Sequence, residues 1–281
     1  ISSVGFAHEV IVIDNESTDR TKELALKLKA KVYSTPNNLM LNVNKNFGFE
    51  KAKNSWILNL DADEEVPSDL AREIINLKED KNIDGYWIPR KNIIFGKWIE
   101  HSLWWPDKHL RLFRKNKGKF PGRHIHEHLK VSGGTGSLTS PLLHYNYETV
   151  SQYLYKMDKI YTENEVENII KSGKSLGWQD ALMMPVNDFL KTFFAQKGYQ
   201  DGLHGLVLSL LQAFYQEIVF AKVWEKQKFR IDEPENMLTG FTSETAKIKQ
   251  DYKYWINSVK FDEEKSKFKK ILYRFKRKAR L

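Results

Sequence analysis

The chain has 281 residues, of which 41% are apolar, so it can bury a sizeable core in one large domain or in a domain with an appended subdomain. It contains no cysteine, which excludes disulfides, thiolate metal sites and a cysteine nucleophile and suits a reducing compartment, with the cytoplasm as the default. The net charge of +9 is local, because residues 265–281 hold nine Lys or Arg residues and no acid, while basic and acidic residues balance in the remainder.

The first part of the chain alternates strand-like and helix-like segments. Such alternation predicts a parallel α/β sheet covered on both faces, in which ligands bind beyond the carboxyl ends of the strands. Asp14 and Asp61 both follow predicted strands, so we expect them to line one crevice. The segments are strands at residues 9–14, 31–34 and 55–60, and helices beginning at Thr18 or Asp19, over 42–54 and near Pro67.

The rest of the chain changes character twice. Residues 85–147 are rich in aromatics and strand-like, whereas apolar positions recur at helical spacing from Thr149 to about Gln227. The predicted fold class is therefore α/β, with a Rossmann-like sheet first, a mixed sheet next and a helical C-terminal part last. The most apolar helix, at 205–224, is interrupted by polar residues, which favours a buried or interfacial helix over a membrane span.

An unusual cluster of acids ends the third predicted strand. In "WILNLDADEEV" (56–66) four acids fall within five residues, directly after an apolar run. A divalent cation would relieve the repulsion among them, and Mg²⁺ or Mn²⁺ favours carboxylate oxygens together with substrate phosphates. Asp61 and Asp63 are spaced to address one assembly of diphosphate and metal, although a lone D-x-D is usually a solvated turn.

The two acidic motifs in combination resemble a known family. "VIDNESTDRT" followed by "WILNLDADE" is similar to the nucleotide-binding half of family 2 glycosyltransferases, which are inverting enzymes with the GT-A fold. Later segments, "RKNIIFGKWI", "WWPDKHLRLFRK", "PLLHYNY" and "GYQDGLHGLVLSLLQAFY", resemble the branch that adds sugars to lipopolysaccharide core and related bacterial surface glycans. The resemblance covers nearly the whole chain except the basic tail.

The resemblance implies a role for each residue of the acidic motifs. By matching position, Asp14 contacts the base of the nucleotide, Asp61 lies near its ribose, and Asp63 binds Mn²⁺ or Mg²⁺ on the diphosphate. Ser17 lies in the same nucleotide-binding loop. Lys45 stands where family members often have Arg, and it offsets phosphate charge as a point charge without the bidentate fork of Arg.

The resemblance also predicts the domains and the substrates. A GT-A catalytic domain is expected at 1–148, a helical acceptor or lid subdomain at 149–228, and C-terminal helices with the basic tail at 229–281. The expected donor is a nucleoside-diphosphate sugar, with UDP as the nucleotide, and the expected acceptor is a lipid-linked saccharide. The family's first strand and its "Pro-x-Tyr-Asn-Glu"-like loop find no match in "ISSVGFAHEV", so we expect weak donor binding by this sequence alone.

An inverting transfer needs a base that removes the proton of the acceptor hydroxyl as its oxygen attacks. Glu127 in "GRHIHEHLK" is the first candidate, since it stands in a polar stretch and matches the "HE" position of the resembling branch. Asp107 in "WWPDKHLR" is the second candidate. Its neighbour Trp105 is predicted to line the acceptor subsite, because aromatic faces pack against sugar rings.

Two further residues have open assignments. His144 in "PLLHYNY" either completes the metal shell, as a histidine does in some GT-A enzymes, or is a core histidine bonded to a backbone carbonyl. Arg111 lies in "HLRLFRK". It is predicted to bind the acceptor or to neutralise the phosphate of the donor, and the alternative is a position on a solvated strand face.

Two alternative functions remain open from the residues alone. In "HIHEH" (124–128), alternate histidines on a strand have the spacing of a zinc site, which would make the protein a hydrolase with Glu127 as base. That alternation turns Glu127 away from the histidines, which weakens this interpretation. The second alternative is a non-enzymatic binder of anionic lipids or glycans, in which the basic tail carries the function.

The basic tail has two interpretations. Phe268, Ile271, Leu272 and Phe275 recur at helical spacing among cations, which is typical of a helix lying on an anionic membrane surface. The alternative is a solvated terminal helix packed on the body. No nucleic-acid recognition motif accompanies the charge, so no nucleic acid is expected as a partner. The predicted location is the cytoplasm, peripheral at the inner face of the cytoplasmic membrane.

Overall fold

The computed structural model describes residues 1–37, 41–122, 127–230 and 232–279. The chain divides into two compact units. The first comprises Ile1–Ile93 and Trp105–Asn146, and the second comprises Ile94–Trp104 and Tyr147–Leu281. Residues 94–104, which interrupt the first unit in sequence, therefore pack with the helices of the second.

The predicted order of strands and helices is observed. The strands are β1 (Ile11–Asp14), β2 (Lys31–Ser34), β3 (Trp56–Leu58), β4 (Glu64–Glu65), β5 (Ile83–Ile94), β6 (Lys97–Trp98), β7 (Asp107–Arg114), β8 (Gly118–Lys119), β9 (Lys130–Val131), β10 (Gly134–Ser137) and β11 (Leu142–Tyr147). The helices are α1 (Thr21–Lys27), α2 (Leu41–Lys51), α3 (Ser68–Ile75), α4 (Val150–Lys156), α5 (Thr162–Ser172), α6 (Asp180–Phe189), α7 (Leu203–Lys226), α8 (Met237–Glu263) and α9 (Lys267–Ala279).

The sheets of the first unit are partly parallel and partly antiparallel. Strands β1 and β2 pair in parallel, as the alternating pattern predicts. Strand β3 instead joins the mixed sheet, whose order is β3–β7–β5–β11–β4, and it runs antiparallel to β7. Strand β10 runs parallel beside β5. The prediction of one parallel sheet is therefore wrong for β3. Its partner is β7, a strand from a later part of the chain that runs in the opposite direction.

Two apolar clusters form the core of the first unit. Leu70 of α3 packs with Ile88, Leu112 and Leu142 of the mixed sheet. A second cluster includes Phe113, Phe120 and Leu129, with Phe49 of α2 packed against it. The adjacent residues Leu112 and Phe113 of β7 lie in different clusters, so apolar residues pack against both faces of this part of the sheet.

Helix α1 begins close to its predicted start and leaves its leucines exposed. Asp19 accepts a hydrogen bond from the backbone N–H of Thr21 at 2.9 Å, which satisfies a donor at the start of the helix. The leucines of the helical pattern, Leu24, Leu26 and Leu28, are exposed, and Ala25 is the residue that the helix buries.

The second unit is helical from Thr149 onwards, as predicted. Thr149 caps α4 by accepting the N–H of Gln152 at 3.1 Å, and α5 ends at Gly173 in the left-handed conformation. Within the described ranges, α7 is long and apolar enough to cross a membrane by length and composition. Its Val219 and Val223 pack with Val166 of α5, and 28% of its apolar window is buried inside the structure.

A buried carboxylate fastens the loop around β6 to the helices of the second unit. Asp201 accepts the backbone N–H groups of Glu100 and His101, both at 3.0 Å. Its own carbonyl accepts a hydrogen bond from Lys97 Nζ at 2.8 Å. The first turn of α7 needs glycine at residue 205, because a Cβ atom there would lie 1.7 Å from the backbone oxygen of Gly198.

Candidate functional site

Helix α2 brings two predicted strand ends together. Asp14 ends β1, is buried, and accepts the N–H of Ser17 at 3.2 Å. The next residue, Asn15, accepts a hydrogen bond from Asn44 of α2 at 2.7 Å. Lys45, which follows Asn44, forms an ion pair with Asp61. Because consecutive residues of α2 contact both ends, the loops after β1 and β3 lie on one side of the unit.

The positive charge around two of the four acids comes from side chains. Arg111 Nη2 lies 2.7 Å from Asp61 Oδ2 and also pairs with Glu64. The backbone N–H of Asp61 donates to Glu64 Oε2 at 2.8 Å, and Arg90 lies 3.6 Å from Glu64 Oε1. The repulsion predicted for Asp61 and Glu64 is therefore relieved by Arg111, Lys45 and Arg90, which sequence spacing did not reveal.

These contacts fix the charge states at the strand end. Burial raises the pKa of Asp61, but the charges of Arg111 and Lys45 outweigh this effect and hold its pKa well below the usual value. For Arg111, burial alone would lower the pKa. The negative charges of Asp61 and Glu64 outweigh this effect, so the pKa of Arg111 is raised. Arg111 is buried beneath the acids, so the expectation of a solvated strand face is wrong, and the side chain is placed to hold the acids rather than to touch an acceptor.

Asp63 and His144 are brought together by pairing of short strands. Strands β4 and β11 are antiparallel, with His144 opposite Glu64, and the N–H of Tyr145 donates to the carbonyl of Asp63 at 2.9 Å. His144 Nε2 then lies 3.5 Å from Asp63 Oδ2. The His144 ring is buried, whereas 40% of the Asp63 side chain is exposed. The carboxylate is thus reachable from solvent and the imidazole lies behind it.

A chain of hydrogen bonds determines which nitrogen of His144 carries the proton. Asp107 Oδ2 accepts a hydrogen bond from Asn92 Nδ2 at 3.1 Å, so the other amide atom, Asn92 Oδ1, faces His144 Nδ1 at 2.7 Å. A carboxylate only accepts and an amide oxygen only accepts, so Nδ1 of His144 must donate. In the neutral ring, Nε2 then presents its lone pair to Asp63. His144 is bonded to a side-chain amide, not to the backbone carbonyl of the alternative prediction.

This pair fits a small divalent cation. A lone pair and a carboxylate oxygen that face each other at 3.5 Å need a cation or a proton between them. Mg²⁺ commonly takes few protein ligands beside substrate phosphates, Mn²⁺ accepts imidazole, and a ligating histidine usually donates its other N–H to an oxygen. The described ranges contain no cluster of three or more His, Cys, Asp or Glu residues suited to a metal. Asp63 and His144 would therefore supply two ligands.

Asp107 is the centre of a second polar group. Its carboxylate accepts hydrogen bonds from Arg90 at 2.7 and 2.9 Å and lies 2.7 Å from His109 Nε2. Burial raises its pKa, but the bond to His109 and the charge of Arg90 outweigh this, and the pKa lies well below the usual value. Such a carboxylate is a weak base, so the geometry favours a holding role for Asp107.

His109 is held by Asp107 as a neutral ring. Burial lowers the pKa of His109, and the hydrogen bond to Asp107 offsets this only in part. The Nε2–H donates to Asp107, which leaves Nδ1 as an acceptor. The ring of His128 lies 6.3 Å from that of His109, so the segment after the undescribed residues comes back beside this group.

Glu127 and Trp105 are both half-buried side chains of loops. The Glu127 side chain is half-buried and accepts the N–H of Gly122. Trp105 is half-buried and precedes Pro106 in the loop that leads into β7. Two histidines of the predicted zinc site, His124 and His126, lie outside the described residues.

Asp107 and Arg111 are predicted from the sequence as site residues, but Arg90, Asn92 and His109 are not identified there. Arg90 and Asn92 alternate along β5, and Asp107, His109 and Arg111 alternate along β7, so each set projects from one face of its strand. Polar residues at every second position of central strands were the available signal. The spacing along one strand does not show that the two sets share a face, because this depends on the pairing of β5 with β7.

Comparisons with known proteins point to one class of enzyme. A family model described as Glycosyl transferase family 2 matches residues 5–132. An uncharacterized glycosyltransferase of Rickettsia typhi is 30% identical over 229 residues, covering 77% of this chain and 78% of that protein. The lipopolysaccharide core biosynthesis glycosyltransferase LpsC of Rhizobium meliloti is 25% identical and covers 82% of this chain and 87% of that protein. TarS 1-349 of S. aureus is 15% identical with a TM-score of 0.37, covering 76% of this chain and 82% of that structure.

The family model includes the loops that carry Asp14, Asp61 and Asp63. The Rickettsia typhi relative aligns over more than two thirds of both chains. The prediction of a glycosyltransferase is therefore confirmed over the hydrolase and the non-enzymatic binder, and so is the α/β fold that ends in helices. The chain belongs to glycosyl transferase family 2.

Proposed function

We propose that this glycosyltransferase is inverting and metal-dependent, and that it transfers a sugar from a nucleoside-diphosphate sugar, with UDP as the nucleotide, to a lipid-linked saccharide. The observation that carries the metal dependence is the position of His144 Nε2 at 3.5 Å from Asp63 Oδ2, because an imidazole nitrogen and a carboxylate oxygen at this spacing are ligand types that Mn²⁺ accepts. A lipopolysaccharide-core acceptor is supported by similarity to LpsC, whose name gives it that pathway.

Different residues of the first unit bind the nucleoside and the diphosphate of the donor. Asp14 and Ser17 recognise the nucleotide base in the loop after β1, and Asp61, held by Lys45 and Arg111, contacts the ribose. Asp63 and His144 hold Mn²⁺ or Mg²⁺. The ion, when bound, neutralises the charge that develops on the leaving diphosphate.

Transfer then needs one proton acceptor on the acceptor side. Glu127 takes the proton of the acceptor hydroxyl while that oxygen bonds to the anomeric carbon, and the bond from this carbon to the diphosphate oxygen breaks. No covalent enzyme intermediate forms, so the configuration inverts. Asp107 is the weaker candidate for this role because Arg90, Asn92 and His109 all donate to it. Trp105 is proposed to pack against the acceptor sugar.

A thermal-shift panel tests the proposed donor and metal together. The protein is heated with UDP-, GDP- and ADP-sugars, each with and without Mn²⁺. A donor at about 100 times its Kd stabilises the native state by about 2.7 kcal/mol, which is a shift of several degrees. We expect UDP-sugars to raise the melting temperature with Mn²⁺ and to have little effect without it. Equal shifts with and without metal would contradict the proposed metal dependence.

A further inference from the structure

Helix α9 has an apolar face that is exposed. The helix carries seven Lys or Arg residues and no acid. Its large apolar side chains are one turn apart or less, so they share one face. Their exposed fractions are 85% for Phe268, 67% for Ile271, 48% for Leu272 and 63% for Phe275.

The opposite, cationic face of α9 is the one that packs on the protein. Lys270 Nζ lies 5.5 Å from the centre of the Phe261 ring, and the Arg277 guanidinium lies 5.0 Å from it. Lys270 and Arg277 are two turns apart, so both point from the same side of α9 to this ring of α8. Helix α8 is itself fixed to the second unit, because Tyr252 lies 6.1 Å from the ring of Phe189.

This orientation is the reverse of an ordinary helical hairpin. Amphipathic helices normally bury their apolar stripe against the partner helix and turn charges to water. The sequence-based alternative, a terminal helix packed on the body, is correct only for the cationic face. Contacts with α8 hold α9 so that its apolar residues face outwards.

The chemistry of this face fits a lipid surface. Lys269 and Lys276 border the apolar face on one side, and Lys267, Arg274 and Lys278 border it on the other. A second copy of α9 would bring like charges together, and a nucleic-acid duplex keeps its bases stacked on one another, so it offers no apolar surface for the two phenylalanines. An anionic bilayer offers acyl chains for the apolar face and phosphate groups for the flanking cations.

We propose that α9 binds an anionic membrane surface by lying in its plane. Phe268, Ile271, Leu272 and Phe275 enter the boundary between headgroups and acyl chains, and the flanking lysines remain at the phosphates. Helix α8 holds α9 in this orientation before the membrane is reached. The enzyme is thereby kept at the surface where a lipid-linked acceptor lies.

Vesicle sedimentation tests this proposal without any sugar donor or acceptor, so its outcome is independent of the transferase chemistry. The full chain is mixed with phosphatidylcholine vesicles, with or without phosphatidylglycerol. We expect binding to the anionic vesicles, with weaker binding at high salt. The double variant Phe268→Ser/Phe275→Ser should bind at least about tenfold more weakly, since each phenylalanine contributes apolar burial.

A matched control comes from the same hairpin. Leu238 and Phe241 of α8 are also exposed, so Leu238→Ser/Phe241→Ser removes a similar apolar area without touching α9. This control should bind like the wild type, and circular dichroism should show all variants folded. The proposal is overturned if the α9 variant binds as tightly as the wild type. It is also overturned if light scattering shows that the phenylalanines drive dimerisation instead of vesicle binding.

Discussion

The hydrogen bond from Asn92 to His144 offers a specific test of the proposed metal pair. Asn92 is fully buried and joins Asp107 to His144 through both atoms of its amide. Substitution Asn92→Leu keeps the approximate volume of the side chain but removes both bonds. The ring of His144 then loses the acceptor that fixes its proton on Nδ1, so Nε2 is no longer directed towards Asp63.

The size of the effect follows from the contacts that are lost. A buried donor left without a partner costs about 1–3 kcal/mol, and this applies to the Nδ1–H of His144. Asp107 keeps its bonds to Arg90 and His109, so its loss adds about 1 kcal/mol. We expect Asn92→Leu to lower stability by about 2–4 kcal/mol and to weaken Mn²⁺ binding about 10–100-fold, as removal of an outer partner of a ligating histidine does.

Isothermal titration calorimetry with Mn²⁺ in the presence of UDP measures the affinity, and thermal unfolding measures the stability. Thr162→Val is the control, since Thr162 is equally buried and bonded but lies in the second unit. It should lower stability and leave the Mn²⁺ affinity unchanged. Wild-type affinity in Asn92→Leu would refute the reasoning that this amide orients a metal ligand.

Three further substitutions test other parts of the structure. Arg111→Met should destabilise the protein by about 3–5 kcal/mol in thermal unfolding, because the buried carboxylate of Glu64 and the partly buried one of Asp61 lose a partner. The folded-state pKa of Asp61 is lowered, so its stabilisation is present above the unfolded pKa and is lost as the pH falls through the folded value. The acid-induced loss of stability should therefore be smaller in Arg111→Met, and an unchanged pH profile would contradict the assignment. Glu127→Gln should retain donor binding and lose turnover about 100-fold or more in a product assay, whereas full turnover would exclude it as the base. Gly205→Ala should lower the unfolding free energy by about 3 kcal/mol, because its Cβ would lie 1.7 Å from a backbone oxygen. Gly5→Ala has room and should behave like the wild type, and equal stability of the two alanine variants would contradict the packing argument.

The sequence pattern predicted those elements of the fold that depend on residues close together in the chain. The second strand was expected at residues 31–34 and is observed as Lys31–Ser34, since a short apolar run between a helix and a turn leaves little choice. The amphipathic tail helix was also predicted, because its apolar spacing is regular over several turns. The acid cluster marked the end of a strand where Asp63 and His144 meet.

Contacts between distant segments were not predictable in this way. Asp61 and Arg111 are 50 residues apart, and their ion pair depends on the register of β3 against β7. Leu24, Leu26 and Leu28 of α1 are exposed, which their spacing in the sequence does not show. Helical periodicity likewise shows that α9 has two faces, but it does not show which face contacts α8.

Electron paramagnetic resonance of Mn²⁺ tests the central claim most directly, because free Mn²⁺ gives a signal that decreases when a chain binds the ion. Wild type, Asp63→Ala and the control Asp69→Ala are titrated with Mn²⁺ in the presence of UDP, and UDP alone serves as the blank. Asp69 is an exposed acid of α3 that pairs with Arg72. We predict one bound Mn²⁺ per chain for the wild type and for Asp69→Ala, and none above the blank for Asp63→Ala. Equal Mn²⁺ binding by Asp63→Ala and the wild type would contradict the account.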